Sequence, residues 1–399
     1  MKKILFVHYG NDWIRGSERC LLDLIHHCPK QGFEAYLWTN NPALHHYAKE
    51  NSISAEIDPF PILLGHLKPQ FNVIGWFNLI VKACQIIRQK EIDIVHVNNG
   101  APCQWMVISA RIMNIPLVTQ LHSPYSARDR LTLSLHLSPY TIAVKRNVGQ
   151  KLTLEGYPEE RLSTIHNGLD VLKLGRQHKI DVKDILGLPK HSFLYSTVGS
   201  LIHRKGMDRL IIAIQSLNTE HPNTHLLIIG DGPMRCELER MAKTLYVENK
   251  IHFIGEQSNV VGWLKGCDAF ASGARSGSSG HAIAEATIAG IPVIAPRGSG
   301  IPEFIHHGMT GLLYSNHGTA PLTQMMTVLI EHKKFGKQLS SQAQIDITKN
   351  FDIELSSQQI VKVYNQLLVD HQTSVSFWRT FIPLKSYLTK RLLIGGEHG

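Results

Sequence analysis

Ala274-Arg275-Ser276-Gly277-Ser278-Ser279-Gly280-His281-Ala282-Ile283-Ala284-Glu285-Ala286-Thr287-Ile288-Ala289-Gly290-Ile291-Pro292 runs a Gly/Ser-rich turn straight into an apolar helix. Successive backbone N–H groups in such a turn, followed by the unpaired N–H groups of a helix N-terminus, form a concave donor array suited to phosphate. Glu285 falls about one turn into that helix, a depth at which a carboxylate can accept hydrogen bonds from two adjacent hydroxyls, as on a ribose. Ala282, Ile283, Ala286 and Ile288 allow close packing, Gly290 stops the helix, and Ile291 to Ala295 reads as the next buried strand. An ordinary loop and core helix of an α/β domain would fit the same residues, so the surrounding order has to decide.

Working outward, the second half alternates strands with helices. Phe193 to Val198 is a strand that ends in Gly199-Ser200. The chain then passes through Leu201-Ile202-His203-Arg204-Lys205-Gly206 into a helix with Leu210, Ile211, Ile214 and Leu217 on one face. Arg204 and Lys205 therefore stand near a helix N-terminus after a strand end, where cation and helix dipole both favour a phosphate; a solvated basic pair is the plain alternative. Leu226 to Ile229 followed by Gly230-Asp231-Gly232-Pro233, then Ile251 to Ile254, Asp268 to Ala271 and Gly311 to Tyr314 supply further strands, and helices run to about Asp370.

The first half has the same rhythm. Ile4 to Val7 is a short apolar strand, Gly10 to Gly16 a polar loop, and Ser17 to about His27 an amphipathic helix. Strands at 35–38, 92–97, 116–120 and 141–144 alternate with helices at about 73–89 and 102–113 and with one ending at Glu155. Strands apolar on both faces and separated by helices imply a parallel sheet covered on both sides. Ligands of such sheets bind beyond the carboxyl ends of the strands. That singles out Gly16, the segment His96 to Asn99, and His122, although most histidines are structural. A turn at Ile165 to Asp170, followed by a polar stretch, marks the junction between domains 1–170 and 171–371, with a tail at 372–399.

Composition narrows the function. A chain of 399 residues exceeds what one core usually serves. The formal charge of +9 is spread without a Lys/Arg block or an interleaved aromatic ladder, which argues against nucleic acid as partner. Cys20, Cys28, Cys84, Cys103, Cys236 and Cys267 form no C-x-x-C pair and no zinc spacing, and read as reduced residues of a cytoplasmic protein. No run of about 18 apolar residues is present to span a membrane.

The ordered set Val198-Gly199, Lys205-Gly206, Gly230-Asp231-Gly232-Pro233, Phe253-Ile254-Gly255, Glu285-Ala286, Gly290 to Ile294 and Ile301-Pro302-Glu303 closely resembles the retaining glycosyltransferases of family 4. The likeness is weaker in the first half, carried by Gly16-Ser17-Glu18, Val95-His96-Val97, His122 and Asn167-Gly168. It implies the GT-B fold, two Rossmann-like doubly wound α/β domains facing a central cleft. It also implies a nucleotide-sugar donor on the C-terminal domain, a glycan or lipid-linked acceptor on the N-terminal one, retained anomeric configuration, and no cofactor or essential metal. Carried over position by position, Lys205 stabilises the leaving diphosphate, Glu285 holds the ribose, His122 lies beside the transferred sugar, and Gly16 lets backbone approach donor phosphate or acceptor. The loop Gly255 to Asn259 borders the nucleobase.

Two positions depart from the family. Ser200 stands where an arginine is usual, leaving Arg204 as the nearby second cation in a different register. Gly277 stands where the first glutamate of the Glu, seven residues, Glu motif belongs, so donor-sugar contacts fall to Arg275, Ser276, Ser278, Ser279 or His281, with Gly280 at the helix entry. If those contacts are not made, the chain is a sugar-nucleotide-binding protein with weak transfer. A GT-B epimerase or phosphorylase would need a further acid/base set or cofactor lysine that the sequence does not display. The tail interleaves Phe377, Trp378, Phe381 and Tyr387 with Arg379, Lys385, Lys390 and Arg391 against the single acid Glu397. That pattern suits peripheral contact with an anionic membrane, and equally a segment that crosses back to pack on the first domain.

Overall fold

The computed structural model describes residues 1–64, 71–275, 280–298, 301–370 and 384. Gly277 with its neighbours Ser276, Ser278 and Ser279, and the tail from 372 apart from residue 384, lie outside the described residues. Two compact units form, one from Met1–Leu169 with Ile353 onward, the other from Asp170–Asp352.

The first unit runs β1 (Lys2–His8), α1 (Gly16–His27), β2 (Phe33–Thr39), α2 (Pro42–Glu50), β3 (Ser54–Ile57), α3 (Val73–Lys90), β4 (Ile94–Asn98), α4 (Cys103–Met113), β5 (Leu117–Leu121), α5 (Ala127–Thr132), β6 (Tyr140–Ala143), α6 (Arg146–Leu154) and β7 (Leu162–Thr164). The second runs α7 (Val171–Gly175), α8 (Val182–Ile185), β8 (Phe193–Val198), α9 (Met207–Leu217), β9 (Thr224–Ile229), α10 (Arg235–Thr244), β10 (Ile251–Phe253), α11 (Val260–Lys265), β11 (Ala269–Ala271), α12 (Gly280–Ile288), β12 (Val293–Pro296), β13 (Leu312–Tyr314), α13 (Ala320–Glu331) and α14 (Lys333–Asn350). Helix α15 (Ile353–Asp370) returns to the first unit.

Both sheets are parallel throughout. Their orders are β3-β2-β1-β4-β5-β6-β7 and β10-β9-β8-β11-β12-β13. Each reverses direction once, between β1 and β4 and between β8 and β11, and at that switch point the flanking crossovers diverge and leave the strand ends open. The central strands are buried on both faces, which is why they read as unbroken apolar runs; Ile4 to Val7 are wholly inaccessible.

The expected second domain of 171–371 is corrected at its C-terminal end. Helix α15 buries Ile360, Val361, Val363, Tyr364 and Leu367 among Ile4, Phe6, Leu21 and Phe33 of the first unit. Tyr364 seals the join, its hydroxyl 2.6 Å from His96 Nδ1 and its ring 5.7 Å from Phe33. His96 is likewise corrected. It is the third residue of β4 and wholly buried rather than beyond a strand end. Burial pushes the His96 imidazole down to about 3, so it is a neutral packing group.

Candidate functional site

In the second unit the candidate site forms at the switch point, beyond the ends of β8, β9 and β11. Backbones approach there more closely than any side chain permits. A Cβ at Gly206 would lie 2.0 Å from the Gly273 carbonyl oxygen, and one at Gly230 would lie 2.2 Å from that of Gly199. Gly206 also has φ +65°, the left-handed conformation that lets the His203–Lys205 turn stop before α9 begins. The side chain of Lys205 lies over Gly199, where a Cβ would meet its Cε at 3.4 Å and its Nζ at 3.6 Å. The lysine is thus laid along the glycine that ends β8, half-buried, with Ser200 half-buried beside that glycine in sequence and Arg204 exposed.

Arg275 fastens this turn to the one that leads into the Gly/Ser loop. Its guanidinium reaches Asp208 in the first turn of α9 by two hydrogen bonds, at 2.8 and 2.5 Å, and donates to the His203 carbonyl at 2.9 Å. Its backbone N–H donates to the Arg204 carbonyl at 3.0 Å. Burial alone would raise the Asp208 carboxyl, but the hydrogen bonds and charge of Arg275 outweigh it and hold the group below its usual range. Arg275, one of five residues named as alternatives for the donor-sugar contacts, therefore has a partner that the sequence did not indicate: it braces the turn against Asp208. Glu285 lies half-buried in α12, whose Ile283, Ala284, Ala286, Thr287 and Ile288 are buried. Gly280 opens that helix against the Phe304 ring, which a Cβ would meet at 3.1 Å, and His281 follows, half-buried. The expected nucleobase loop starts at Gly255, φ +72°, whose carbonyl accepts the Gly230 N–H at 2.7 Å.

In the first unit a chain of polar groups crosses the other switch point. His8 ends β1 and Asn98 ends β4, and the two are register partners. The Asn98 amide donates to His8 Nδ1 at 2.9 Å, while His8 Nε2 lies 3.1 Å from Glu18 Oε1. On its other side Asn98 Oδ1 accepts from His122 Nε2 at 2.8 Å, and His122 Nδ1 accepts from the Asn167 amide at 3.2 Å. Asn167 in turn accepts from Gln120 Nε2 at 3.2 Å. Glu18 is buried in the first turn of α1, two residues beyond Gly16, and its second oxygen accepts the Arg15 N–H at 3.2 Å. Burial opposes its charge, yet the His8 ring beside it, with the N–H groups of Glu18 and Arg15, holds the carboxyl below its usual range.

Lys205, Arg204, Ser200 and Gly280 with His281 and Glu285 are thus carried by the second unit, and Gly16 and His122 by the first. Sequence reasoning missed Asp208, Gly273 and His8, and, although it singled out the segment holding Asn98, it missed the links from Asn98 to His8 and His122 and from His122 to Asn167. The available signal was position, since His8, Asn98 and Gln120 all sit at or next to the last residue of an apolar strand. Among the described residues no cluster of three or more metal-ligating side chains occurs, and no helix is long and apolar enough to cross a membrane.

The comparisons with known proteins agree with the two-unit parallel fold. Residues 179–346 match the family described as Glycosyl transferases group 1, and residues 14–172 match Glycosyltransferase Family 4. The N-acetyl-alpha-D-glucosaminyl L-malate synthase of Bacillus anthracis is 24% identical over 303 residues, 73% of this chain and 79% of that protein. The lipopolysaccharide core biosynthesis glycosyltransferase LpsD of Rhizobium meliloti is 32% identical over 128 residues, 32% of this chain and 36% of that protein. Anabaena Alr3699/HepE in complex with UDP has a similar structure, with a TM-score of 0.80 at 24% identity over 92% of this chain and 100% of that one; the same protein is also solved with UDP-glucose. The two family matches together take in most of both units, and the chain belongs to the group 1, family 4 glycosyltransferases, with their GT-B fold of two Rossmann-like units.

Proposed function

We propose that this glycosyltransferase moves a hexose-type sugar from a nucleotide-sugar to a glycan or lipid-linked acceptor, with retained anomeric configuration, in the synthesis of a cell-surface polysaccharide or lipopolysaccharide. The observation that carries the reading is Lys205 laid over Gly199 at the switch point of the second unit, on a turn braced by the Arg275–Asp208 pair. Expelling a nucleoside diphosphate builds negative charge on its oxygens, and a fixed cation beside backbone N–H groups offsets it. In this reading Lys205 and Arg204 face the diphosphate, with Ser200, Gly277, Gly280 and His281 bordering the donor. Glu285 accepts from the ribose hydroxyls. Gly16 and His122 serve the transferred sugar and acceptor from the first unit. The cations of the chain supply the charge, so the reading calls for no metal.

A lipid-linked acceptor is supported by α3 and α4, which pack against each other, Ser109 Oγ donating to the Ile80 carbonyl at 3.4 Å. Val73, Ile74, Phe77 and Val81 of α3 and Ile108 and Ile112 of α4 are exposed. The two helices carry Lys82, Arg88, Lys90 and Arg111 and no acidic residue. Apolar side chains among cations suit an anionic membrane surface. None of the six cysteines forms a disulfide among the described residues, as in a reducing compartment, and the location in this reading is the cytoplasmic face of a membrane.

The test is proton and phosphorus NMR of the purified protein with a panel of UDP-, GDP- and ADP-sugars, with and without a membrane extract. Release of nucleoside diphosphate, with a product whose anomeric signal matches the donor's configuration, supports the proposal. A nucleotide-sugar that binds and is never consumed would replace it with a binding role.

A further inference from the structure

We propose that Glu18 dictates which nitrogen of His122 carries the proton, acting through its contact with His8 and the hydrogen bonds from His8 to Asn98 and from Asn98 to His122. The inference deepens the reading of His122 given above, and its principal test does not depend on that reading.

An ionised carboxylate can only accept. One oxygen of Glu18 accepts the Arg15 N–H, and the other lies 3.1 Å from His8 Nε2 in a buried pair, where only a protonated nitrogen is tolerated beside a carboxylate. His8 Nε2 must therefore carry a proton. Its Nδ1 faces the Asn98 amide nitrogen, so Nδ1 accepts and the ring is neutral. Asn98 has then spent its N–H₂ on His8 and presents its oxygen to His122, whose Nε2 has to donate. His122 Nδ1 is left to accept from Asn167, which accepts in turn from Gln120. Each link fixes the next, because two donors or two acceptors facing each other away from water cost a lost hydrogen bond. His8 and Asn98 are wholly buried, so no solvent can repair a mismatch. The backbone closes over the pair at Gly10, where a Cβ would lie 2.6 Å from His8 Nε2 and 3.3 Å from Glu18 Oε1.

Glu18→Gln reverses the chain. The Arg15 N–H needs an acceptor, so the new amide turns its oxygen there and its N–H₂ toward His8 Nε2, which must now accept. The His8 proton moves to Nδ1 and donates to Asn98 Oδ1. Asn98 then donates to His122 Nε2, the His122 proton moves to Nδ1 and donates to Asn167 Oδ1, and the turned Asn167 N–H₂ requires the Gln120 amide to turn and present its oxygen. Each imidazole carries one proton before and after; only the sites change. In the sugar-bearing reading, Glu18 is a positioning residue that holds His122 neutral, in one orientation, with both nitrogens committed to the protein. His122 would then contribute shape and not proton transfer.

The experiment is two-bond proton–nitrogen correlation NMR of the full chain labelled with [15N]histidine, at pH 8, with His122 identified by its loss in His122→Gln. The wild type is expected to show His122 as the Nε2–H tautomer and Glu18→Gln as the Nδ1–H tautomer, each in about tenfold excess or more. Glutamine at this helix position can cap as glutamate does, so the fold is expected to survive. Asn98→Asp gives a second arm: a carboxylate there accepts from both neighbours, leaving His122 as Nε2–H and charging His8. An Nδ1–H His122 in the wild type or in Asn98→Asp, or a folded Glu18→Gln protein with an unchanged tautomer, overturns the proposal.

Discussion

Gly206→Ala tests whether close backbone contact, and not glycine's conformation alone, builds the donor side. At Gly206 two costs coincide. The positive φ of +65° costs an alanine about 1–2 kcal/mol. Its Cβ, 2.0 Å from the Gly273 oxygen, must also retreat to the 3.4 Å of ordinary contact, opening the turns by about 1.4 Å. Overpacking of that kind costs about 1–3 kcal/mol more. Gly273→Ala presents the same contact from the other side, its Cβ 2.1 Å from the Gly206 oxygen. Gly308→Ala presents strain alone, with φ +77° and nothing within 4 Å. Displacing Lys205 by an ångström is expected to lower transfer about a hundredfold. Gly206→Ala and Gly273→Ala should therefore both lose about that much in kcat/KM for the donor nucleotide-sugar, while Gly308→Ala stays near wild type in activity with a stability lower by about 1–2 kcal/mol. Equal activity in Gly206→Ala and Gly308→Ala, or full activity in Gly273→Ala, would refute the reasoning.

The Arg275–Asp208 pair should show itself in acid. Because the folded carboxyl lies below its ordinary value, its stabilisation is present above the unfolded value of about 3.9 and is lost as pH falls through the folded one. Asp208→Asn is expected to cost about 1–2 kcal/mol at pH 7, discounted for partial exposure, and the gap to wild type should close in urea titrations below about pH 4; a constant gap assigns the loss to packing. Trp105→Ala breaks the edge-on cluster with Trp38 and Phe60, whose ring centroids lie 6.4 and 5.0 Å from that of Trp105. It should destabilise the first unit by about 3–5 kcal/mol while the transition of the second is unmoved, as read by amide exchange. Flotation with vesicles of anionic lipid should capture the wild type and lose much of Ile74→Glu/Phe77→Glu, with weak capture by neutral vesicles throughout; equal capture of both proteins would clear α3 of a membrane role.

The parallel architecture was legible because central strands are buried on both faces, and Ile4 to Val7 or Leu226 to Ile229 then have no polar alternation to hide them. The edges were not. Strand β3 reads Ser-Ala-Glu-Ile and β7 reads Leu-Ser-Thr, and at a sheet edge so little apolar area is buried that no pattern is imposed. The return of α15 was written in its sequence only as an apolar face; which unit that face covers depends on His96 and Phe33, more than 260 residues earlier. The glycines of the donor side could be read as turns, whereas their contact with one another could not. Arg275 was visible as a cation beside the loop, but its commitment to Asp208 is a matter of distance.

The two units solve the same geometric problem with different materials. A switch point leaves a gap between diverging crossovers, and the backbone groups around it must be satisfied. In the second unit glycine meets glycine, Gly199 with Gly230 and Gly206 with Gly273, so the gap is closed by main chain and the cation Lys205 lies on top. In the first unit side chains fill it, from Glu18 through His8 and Asn98 to His122. The sensitivities should differ accordingly. A methyl group is enough to damage the second switch point, where volume is the constraint, while the first should tolerate small changes of volume and fail when a donor is exchanged for an acceptor. Asn98→Leu, close in size but without hydrogen-bonding groups, strands His8 and His122 together, and each buried unpaired group costs about 1–3 kcal/mol. Asn98→Asp keeps the acceptor that His122 needs. If Asn98→Asp retains more transfer activity than Asn98→Leu, the chemistry of the link matters; if the order is reversed, the first switch point is governed by packing after all.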